Sequence, residues 1–447
     1  MNKPDAAARA VRFSRAEGLL LLLVFAFYTV CASLLPTEHC PDEAARMRVV
    51  QWICDTHTLP TGDEPETLIP QWGFSYALRP YLASILSAAG MTAASVISRA
   101  AWFLRLGARM VSVLSAVACC FYCLRLGHRL FRRRSAAVLL AVFVCFLPQV
   151  CFLGSYLNND ILALAAVCMM LYYMAEGCDT AFSWRSCAGL GVSLSIALLS
   201  YYSVYGWILF CAVFCVAAAL RDRRIAPKTR FILGRGAAIL GICLALAGWF
   251  FIRNAVLHEG DFLGLASETR SRERLAAQGM ALHPYNSFAE AGYSLAGFIG
   301  YRENEWLRMT CQSFVGVFST MTLYLPRWRY GLYYAVLWLG ILMYMAALRR
   351  ERLEWRDRLL MRCALVAGAV TFGLSLAASY LRDYEPQGRY VITLALLFGL
   401  LLAYGADRLE LRAAGEEKPL PAAPALILLW TVMFAHSFLL TMTQMFA

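Results

Sequence analysis

The stretch GLLLLLVFAFYTVCASLLPTEHCPDEAARM, residues 18–47, joins a long apolar run to a short polar segment with two adjacent carboxylates. A helix needs roughly 20 mostly apolar residues to span the hydrocarbon of a membrane, and residues 18–36 are long enough. Because further apolar runs follow, we interpret the first as a signal-anchor rather than a cleaved signal peptide. The stretch therefore predicts a membrane protein, and it raises the question of what Asp42 and Glu43 do beside the bilayer.

The composition of the whole chain supports this class. Of the 447 residues, 60% are hydrophobic and 16% are charged, whereas a soluble domain averages about 25% charged residues. The sequence predicts an all-α integral membrane protein with about eleven transmembrane helices. These are residues 18–36, 107–126, 135–154, 159–175, 186–200, 204–220, 231–252, 330–348, 359–380, 391–405 and 424–441. The apolar stretch 75–100 is interrupted by Arg79-Pro80, and we interpret it as a membrane-dipping segment.

The basic residues predict how the chain is oriented. Placing the N-terminus in the cytoplasm also places there the short loops RLGHRLFRRR, RDRRIAPKTR and LRRERLEWRDR, as the positive-inside rule requires. The net charge of +12 then reflects orientation and contact with anionic membrane lipids. No stretch interleaves aromatic and basic residues as a nucleic-acid groove would, so we expect no nucleic-acid partner. We expect one polytopic domain, residues 1–447, in the cell membrane, with outer loops at 37–106, 253–329 and 381–390.

Polar and charged residues are predicted to converge at the outer surface from separate parts of the chain. Pro41 is suited to the first position of a helix, and the helix dipole favours Asp42 and Glu43 in its first turn. Charges at this depth are costly unless they are paired, cavity-facing or functional. The alternative is a capped helix with solvated acids and arginines that snorkel at helix ends. The other residues at this surface are Asp160, Arg253, Asn254, Gln387, Arg389 and Tyr390.

These motifs, taken in order, resemble the GT-C superfamily of polytopic glycosyltransferases, which includes protein mannosyltransferases and the enzyme that adds aminoarabinose to lipid A. The resemblance rests on HCPDE at 39–43, Asn159-Asp160, WFFIRN at 249–254 with Gly260-Asp261, CQSFVGVFS followed by LPRWRY, and QGRY at 387–390. One departure is Val315, where an aromatic residue is expected. The resemblance implies at least eleven transmembrane helices, with an amphipathic juxtamembrane helix in the first outer loop.

The resemblance also implies a chemistry, in which a sugar moves from a polyprenyl-phosphate donor to a hydroxyl of a glycan, lipid or protein acceptor. Asp42 is then the main catalytic carboxylate, with Glu43 beside it and Asp160 as a second acid. A carboxylate within reach of the acceptor hydroxyl can act as general base, and direct displacement inverts the anomeric carbon. Arginine suits the phosphate of the donor, and the candidates are Arg253, Arg389, Arg382 and Arg302. The expected substrate-binding residues are His39, Asn159, Asn254, Gln387 and Tyr390.

Three alternatives remain open from the sequence. Mg²⁺ or Mn²⁺ could bind Asp42 and Asp160, because these ions prefer oxygen ligands; the scattered histidines predict no zinc site. A polymerase or ligase of lipid-linked glycans would use the same outer surface. A transporter or flippase of lipid-linked or small polar substrates is less favoured, because transporters usually bind substrate near the membrane midplane.

Overall fold

Helices dominate the part of the chain that the computed structural model describes, residues 13–300, 305–411 and 420–445. The α-helices are α1 (Arg15–Leu34), α2 (Glu43–Thr56), α3 (Leu82–Ser95), α4 (Ala101–Leu130), α5 (Arg134–Cys145), α6 (Pro148–Leu153), α7 (Asp160–Asp179), α8 (Trp184–Leu198), α9 (Tyr205–Arg221), α10 (Lys228–Cys243), α11 (Trp249–Leu257), α12 (Leu265–Ala277), α13 (Leu295–Gly300), α14 (Trp306–Gly316), α15 (Arg327–Arg350), α16 (Trp355–Leu381), α17 (Leu394–Arg408) and α18 (Ala422–Met445). The chain is therefore an all-α membrane protein, as predicted.

The strands of the described residues are three antiparallel pairs of two residues each. They are β1 (Leu68–Ile69) with β2 (Phe74–Ser75), β3 (Val317–Phe318) with β4 (Leu323–Tyr324), and β5 (Glu410–Leu411) with β6 (Leu420–Pro421). In the first pair Leu68 is opposite Ser75, and in the second Val317 is opposite Tyr324. The first two pairs lie in the long predicted outer loops, where they turn the chain back toward the helices.

The predicted count of eleven spans is not confirmed. Eight helical segments in the described residues are long and apolar enough to cross a membrane: 15–34, 101–130, 160–179, 202–221, 228–257, 327–350, 355–381 and 422–445. The segment predicted at 135–154 is divided into α5 and α6, with Pro148 at the start of α6. Proline fixes its own φ and lacks an amide hydrogen, so it is suited to a helix start rather than an interior. The other two predicted spans correspond to α8 and α17, which are 15 residues each.

The helices α4 and α7 form the centre of the bundle. Nearly every residue of α7 from Asp160 to Cys178 is buried, whereas α10 contributes no buried residue. At the end of α4 and α7 that carries the basic loops, Arg129 bonds Glu176 at 2.7 Å and Asp179 at 2.6 Å, and Arg356 also pairs with Asp179. The opposite end of the bundle holds the predicted outer loops. The limits of those loops and of the single domain depend on the position of the bilayer, and they stay predictions.

The segment 75–100, predicted to dip into the membrane, forms a short 3-10 turn at Tyr76–Leu78 and then α3. Helix α3 packs closely on α4 where Gly90 meets Gly107. A Cβ at Gly107 would lie 2.7 Å from the carbonyl oxygen of Gly90 and 2.6 Å from Cβ of Ala94. The two backbones therefore approach each other only because both positions are glycine. Helix α2 packs on α3 through Val50, so the predicted juxtamembrane helix is anchored to this pair.

Candidate functional site

Asp42 lies immediately before α2, which begins at Glu43. Its φ is 62°, in the left-handed region, and its side chain does not cap the helix. Left-handed backbone is uncommon for residues other than glycine, although aspartate tolerates it better than most. This conformation differs from the predicted position inside the first helical turn. It turns the carboxylate away from the helix end, where Oδ2 accepts a hydrogen bond of 2.7 Å from Nη2 of Arg389.

Two arginines and a second carboxylate surround Asp42. Arg46, one turn along α2, is 4% exposed and lies 4.3 Å from the ring centroid of Tyr76. Asp160, the first residue of α7, is 4% exposed and lies within electrostatic range of Asp42, Arg46 and Arg389. Burial alone would raise the pKa of Asp42, but the guanidinium groups of Arg389 and Arg46 outweigh burial and hold this pKa below its usual value. Asp42 is therefore ionised at neutral pH.

Arg389 is positioned by the 3-10 turn Gly388–Val391 before α17. The amide of Gly388 donates to Oγ of Ser313 at 2.5 Å, and a Cβ at position 388 would collide with the backbone of Phe314. This contact fixes the turn against α14. Nε and Nη1 of Arg389 are buried and have no hydrogen-bond partner among the described residues. Buried donors are normally paired. These two nitrogens are therefore candidate donors to a ligand next to Asp42.

Glu43 points away from Asp42 and forms a buried ion pair with Arg109 of α4. The pair has two bonds, 2.8 Å from Nε to Oε1 and 2.5 Å from Nη2 to Oε2, and both side chains are at most 1% exposed. Oε1 also accepts from the amide of Leu157, and Nη1 of Arg109 donates to the carbonyls of Ala32 and Leu35. This cluster joins α1, α2, α4 and the turn before α7. It holds the loop that carries Asp42.

Two predicted residues, Asn159 and Asn254, hold the backbone on either side of Arg79. Nδ2 of Asn254 donates to the carbonyl of Leu78 at 3.1 Å, and Nδ2 of Asn159 donates to that of Pro80, also at 3.1 Å. Arg79 was not predicted as a site residue. The one feature of the sequence that marked it was the pair Arg79-Pro80, a charged residue followed by proline inside the apolar stretch 75–100.

A cavity of about 290 Å³ lies beside the Asp42 cluster. Tyr390 connects the two, because its hydroxyl accepts from Arg389 at 3.2 Å and its ring stacks on Tyr201 with centroids 5.9 Å apart. Burial raises the pKa of the Glu385 carboxyl in this wall, although Tyr390 and Arg389 oppose the change. The charged and aromatic residues of the wall are Arg79, Tyr201, Tyr202, Tyr285, Arg382, Asp383, Glu385 and Tyr390.

Comparison with known proteins identifies the architecture. A family model described as dolichyl-phosphate-mannose-protein mannosyltransferase matches residues 94–250. ArnT from Cupriavidus metallidurans, solved bound to undecaprenyl phosphate, is similar with a TM-score of 0.52 at 15% identity, over 88% of this chain and 60% of ArnT. The oligosaccharyltransferase of Archaeoglobus fulgidus, tethered with an acceptor peptide, has a TM-score of 0.54 at 13% identity, over 94% of this chain and 54% of its own.

A third solved structure, arabinosyltransferase EmbB from Mycobacterium smegmatis, has a TM-score of 0.52 at 10% identity, over 98% of this chain and 39% of EmbB. The chain has the GT-C fold. It spans 60% or less of the length of these three proteins. No curated protein sequence matches it. The predicted resemblance is confirmed at the level of the GT-C architecture and its membrane-spanning helices.

Within this GT-C fold the predicted residues are not all brought together. Asp42, Asp160, Arg389 and Tyr390 meet, whereas Nη2 of Arg253 donates to the carbonyl of Leu59. Nδ1 of His39 lies 3.0 Å from Oγ of Ser319, in the turn between β3 and β4. Gln387 is half-buried at the start of the Arg389 turn. Arg302 lies outside the described residues, so its predicted role stays a prediction.

The donor set around Asp42 fits a divalent cation poorly. Oδ2 of Asp42 is bonded to Arg389, and two guanidinium groups balance the charges of Asp42 and Asp160. The described residues contain no group of three His, Cys, Asp or Glu side chains with the spacing of a metal site. Mg²⁺ needs several oxygen ligands, and here it would have to displace an arginine.

Proposed function

We propose that the protein is a glycosyltransferase that moves a sugar from a polyprenyl-phosphate donor to an acceptor hydroxyl at the outer face of the membrane. The observation that carries this proposal is Asp42, an ionised carboxylate with a 29% exposed side chain, beside N–H groups of Arg389 that have no partner within the described part of the chain. The likeness in fold to ArnT, a protein solved with undecaprenyl phosphate, supports a lipid-phosphate carrier. The acceptor would be a glycan, a lipid or a protein.

In the proposed reaction, Asp42 accepts the proton of the acceptor hydroxyl as its oxygen attacks the anomeric carbon. The bond from that carbon to the phosphate oxygen breaks, and the lipid phosphate leaves with the electron pair. The configuration of the sugar is inverted because attack and departure occur on opposite sides. Asp160, within electrostatic range of Asp42 and Arg389, would orient the acceptor. A carboxylate in this role contributes about 10²–10⁴-fold to the rate.

Arg389 links the base to the leaving group. It pairs with Asp42 through Nη2, and its Nε and Nη1 have no partner among the residues that the structure describes. Arginine binds phosphate oxygens strongly through parallel N–H groups. A phosphate that draws Arg389 toward itself weakens the Asp42 contact, which raises the pKa of Asp42 and makes it a better base. Arg79 and Arg382, in the wall of the adjoining cavity, are the further cations that we assign to the phosphate.

The test is transfer of label from radiolabelled polyprenyl-phosphate sugars in membranes that contain the protein. Asp42→Asn keeps the size of the side chain and removes its basicity, so initial rates should fall by about 10²–10⁴-fold. The matched control is Asp55→Asn, because Asp55 is an exposed acid on the same helix. Full transfer by Asp42→Asn with loss of transfer in Asp160→Asn would assign the base to Asp160. Full transfer by both variants would refute a carboxylate base.

The same assay separates the alternative functions. A lipid-linked glycan polymerase or ligase would transfer a whole glycan from its lipid carrier rather than a single sugar. A transporter or flippase would move labelled lipid across the bilayer without forming a new glycosidic bond. A product in which a single labelled sugar is joined to a molecule other than the polyprenyl carrier is expected only from the proposed transferase.

A further inference from the structure

Glu268 of α12 lies between the two arginines that face the cavity. Its Oε1 accepts from Nη2 of Arg79 at 2.8 Å, from Nη2 of Arg382 at 2.8 Å and from the hydroxyl of Tyr285 at 2.7 Å. Its Oε2 accepts from Nε of Arg79 at 2.9 Å. Four hydrogen bonds therefore converge on one carboxylate, whose side chain is 0% exposed.

The arginines face the cavity, whereas Glu268 lies behind them. Arg79, Arg382 and Tyr285 belong to the cavity wall, and Glu268 does not. The side chains of Arg79 and Arg382 are 21% and 38% exposed. No hydrogen bond occupies Nη1 of either arginine within the described part of the chain. An anion in the cavity would thus meet free N–H groups whose positive charge is partly cancelled from behind.

Glu268 keeps its charge in this position. Burial alone would raise the pKa of its carboxyl, but Arg79 and Arg382 outweigh burial and lower the pKa. The two arginines and Glu268 together carry one net positive charge instead of two. This matters for any phosphate in the cavity, because the attraction scales with the net charge of the wall.

The proposed reaction changes the charge of its phosphate. A sugar donor is a phosphodiester with one negative charge, whereas the lipid phosphate left after transfer is a monoester with a charge of about −1.5 to −2 near neutral pH. The wall also contains the carboxyl groups of Asp383 and Glu385. Without the charge of Glu268 this wall would be more positive by one charge, and it would hold the product more tightly relative to the donor. In many enzymes release of the product, rather than the chemical step, limits turnover.

We propose that Glu268 sets the release of the lipid-phosphate product, by cancelling half of the arginine charge that would otherwise retain a phosphate monoester. This inference rests on the proposed function, because it takes the cavity of Arg79 and Arg382 as the phosphate site. Glu268 is not a catalytic residue, since it does not face the cavity. It acts through the two arginines that it holds.

The experiment compares equilibrium binding of undecaprenyl phosphate and of its methyl ester to the purified full-length chain in detergent micelles. The two lipids differ by one methyl group, which limits the phosphate of the ester to a single negative charge, and neither is a sugar donor. In Glu268→Gln, affinity for the monoester should rise about 10-fold, an increase of about 1.4 kcal/mol, and affinity for the methyl ester should rise less. Asp63→Asn is the control, because Asp63 pairs with Arg274 of the same helix in an exposed contact.

Two further variants separate charge from architecture. Tyr285→Phe removes one hydrogen bond to Glu268 but no charge, so it should leave the preference between the two lipids unchanged. Arg382→Gln, at a partly exposed position, should lower the affinity for the monoester relative to the methyl ester, the opposite of the change in Glu268→Gln. This variant tests the inference even if Glu268→Gln does not fold. Equal gains for both lipids, a loss of affinity in Glu268→Gln, or the same effect from Tyr285→Phe would overturn the inference. Failure of the parent protein to bind either lipid would instead overturn the proposed phosphate site.

Discussion

Asp42 carries its negative charge at a half-buried position because Arg389 and Arg46 oppose the cost of its partial burial. A carboxyl whose pKa is lowered stays ionised until the pH falls below its usual value of about 3.9. The acid limb of kcat/KM should therefore lie below that value in the parent protein. In Arg46→Gln the limb should move to higher pH, because one of the two cations is lost.

The measurement is the pH profile of label transfer, with Arg48→Gln as control. Arg48 lies on the same helix, two residues further on, and its Nη1 contacts the carbonyl of Glu66 rather than Asp42. Residues two apart on a helix do not share a face, so its loss should leave the profile in place. An unchanged acid limb in Arg46→Gln would show that Asp42 does not govern the rate.

Glu43 differs from Asp42 although the two are adjacent, because its carboxylate is fully used by Arg109 and the Leu157 amide. Removing one partner of a buried ion pair costs about 3–5 kcal/mol. Glu43→Gln should therefore lower the unfolding midpoint in detergent strongly, while the folded fraction transfers sugar faster than Asp42→Asn does. The control is Glu66→Gln at an exposed position. A stable but inactive Glu43→Gln would contradict the structural role.

Among the residues of the site, the sequence predicted those at helix ends that reach the same surface of the membrane. Asp42, Asp160 and Arg389 meet because their helices all reach the same surface, which alternating topology predicts. Arg79 and Glu268 pair across 189 residues between two long loops, and Arg253 turns toward Leu59. Loop contacts of this kind depend on the folded path of the backbone, for which a single sequence gives no periodic signal.

Among the elements, the crossing of α3 and α4 is the feature most sensitive to one atom. A Cβ at Gly107 would lie 2.6 Å from Cβ of Ala94, and overpacking of this kind costs about 1–3 kcal/mol. Gly107→Ala should lower the unfolding midpoint and displace α3. Gly236→Ala, on α10 with open space around it, should instead be neutral or stabilising by up to about 1 kcal/mol. Equal midpoints for Gly107→Ala and the parent would refute the close crossing.

The helices were predicted well where one continuous helix fills the apolar run and poorly where a turn interrupts or shortens it. Eight of the predicted spans correspond to helices long enough to cross a membrane. The remaining three contain α5 with α6, α8 and α17, each too short by itself because proline, a polar turn or the Arg389 turn begins or ends the helix. Apolar composition persists across such breaks, so hydropathy alone does not detect them.

For the whole molecule, the proposed orientation places α12 outside and the loop after α9 in the cytoplasm. Glu273→Cys and Arg223→Cys, both at exposed positions, should report this in a background where the half-buried Cys54 and Cys311 are serine. A membrane-impermeant maleimide should label Glu273→Cys in intact cells, and Arg223→Cys only after permeabilisation. The reverse pattern would place the Asp42 cluster in the cytoplasm and refute the outer-face site.

The partners of the Glu43–Arg109 contact appear one after the other as the chain is synthesised. Glu43 leaves the ribosome 66 residues ahead of Arg109, and in the proposed orientation its carboxylate crosses the bilayer before α4 is made. Arg109 then reaches the far boundary of the membrane with a counter-ion already in place, which spares it the cost of a lone charge there. The Leu157 amide completes the cluster only when the turn before α7 has been translated. The contacts that hold the loop carrying Asp42 are therefore complete only after residue 157 has been synthesised. A shorter nascent chain would lack the bond from the Leu157 amide to Glu43.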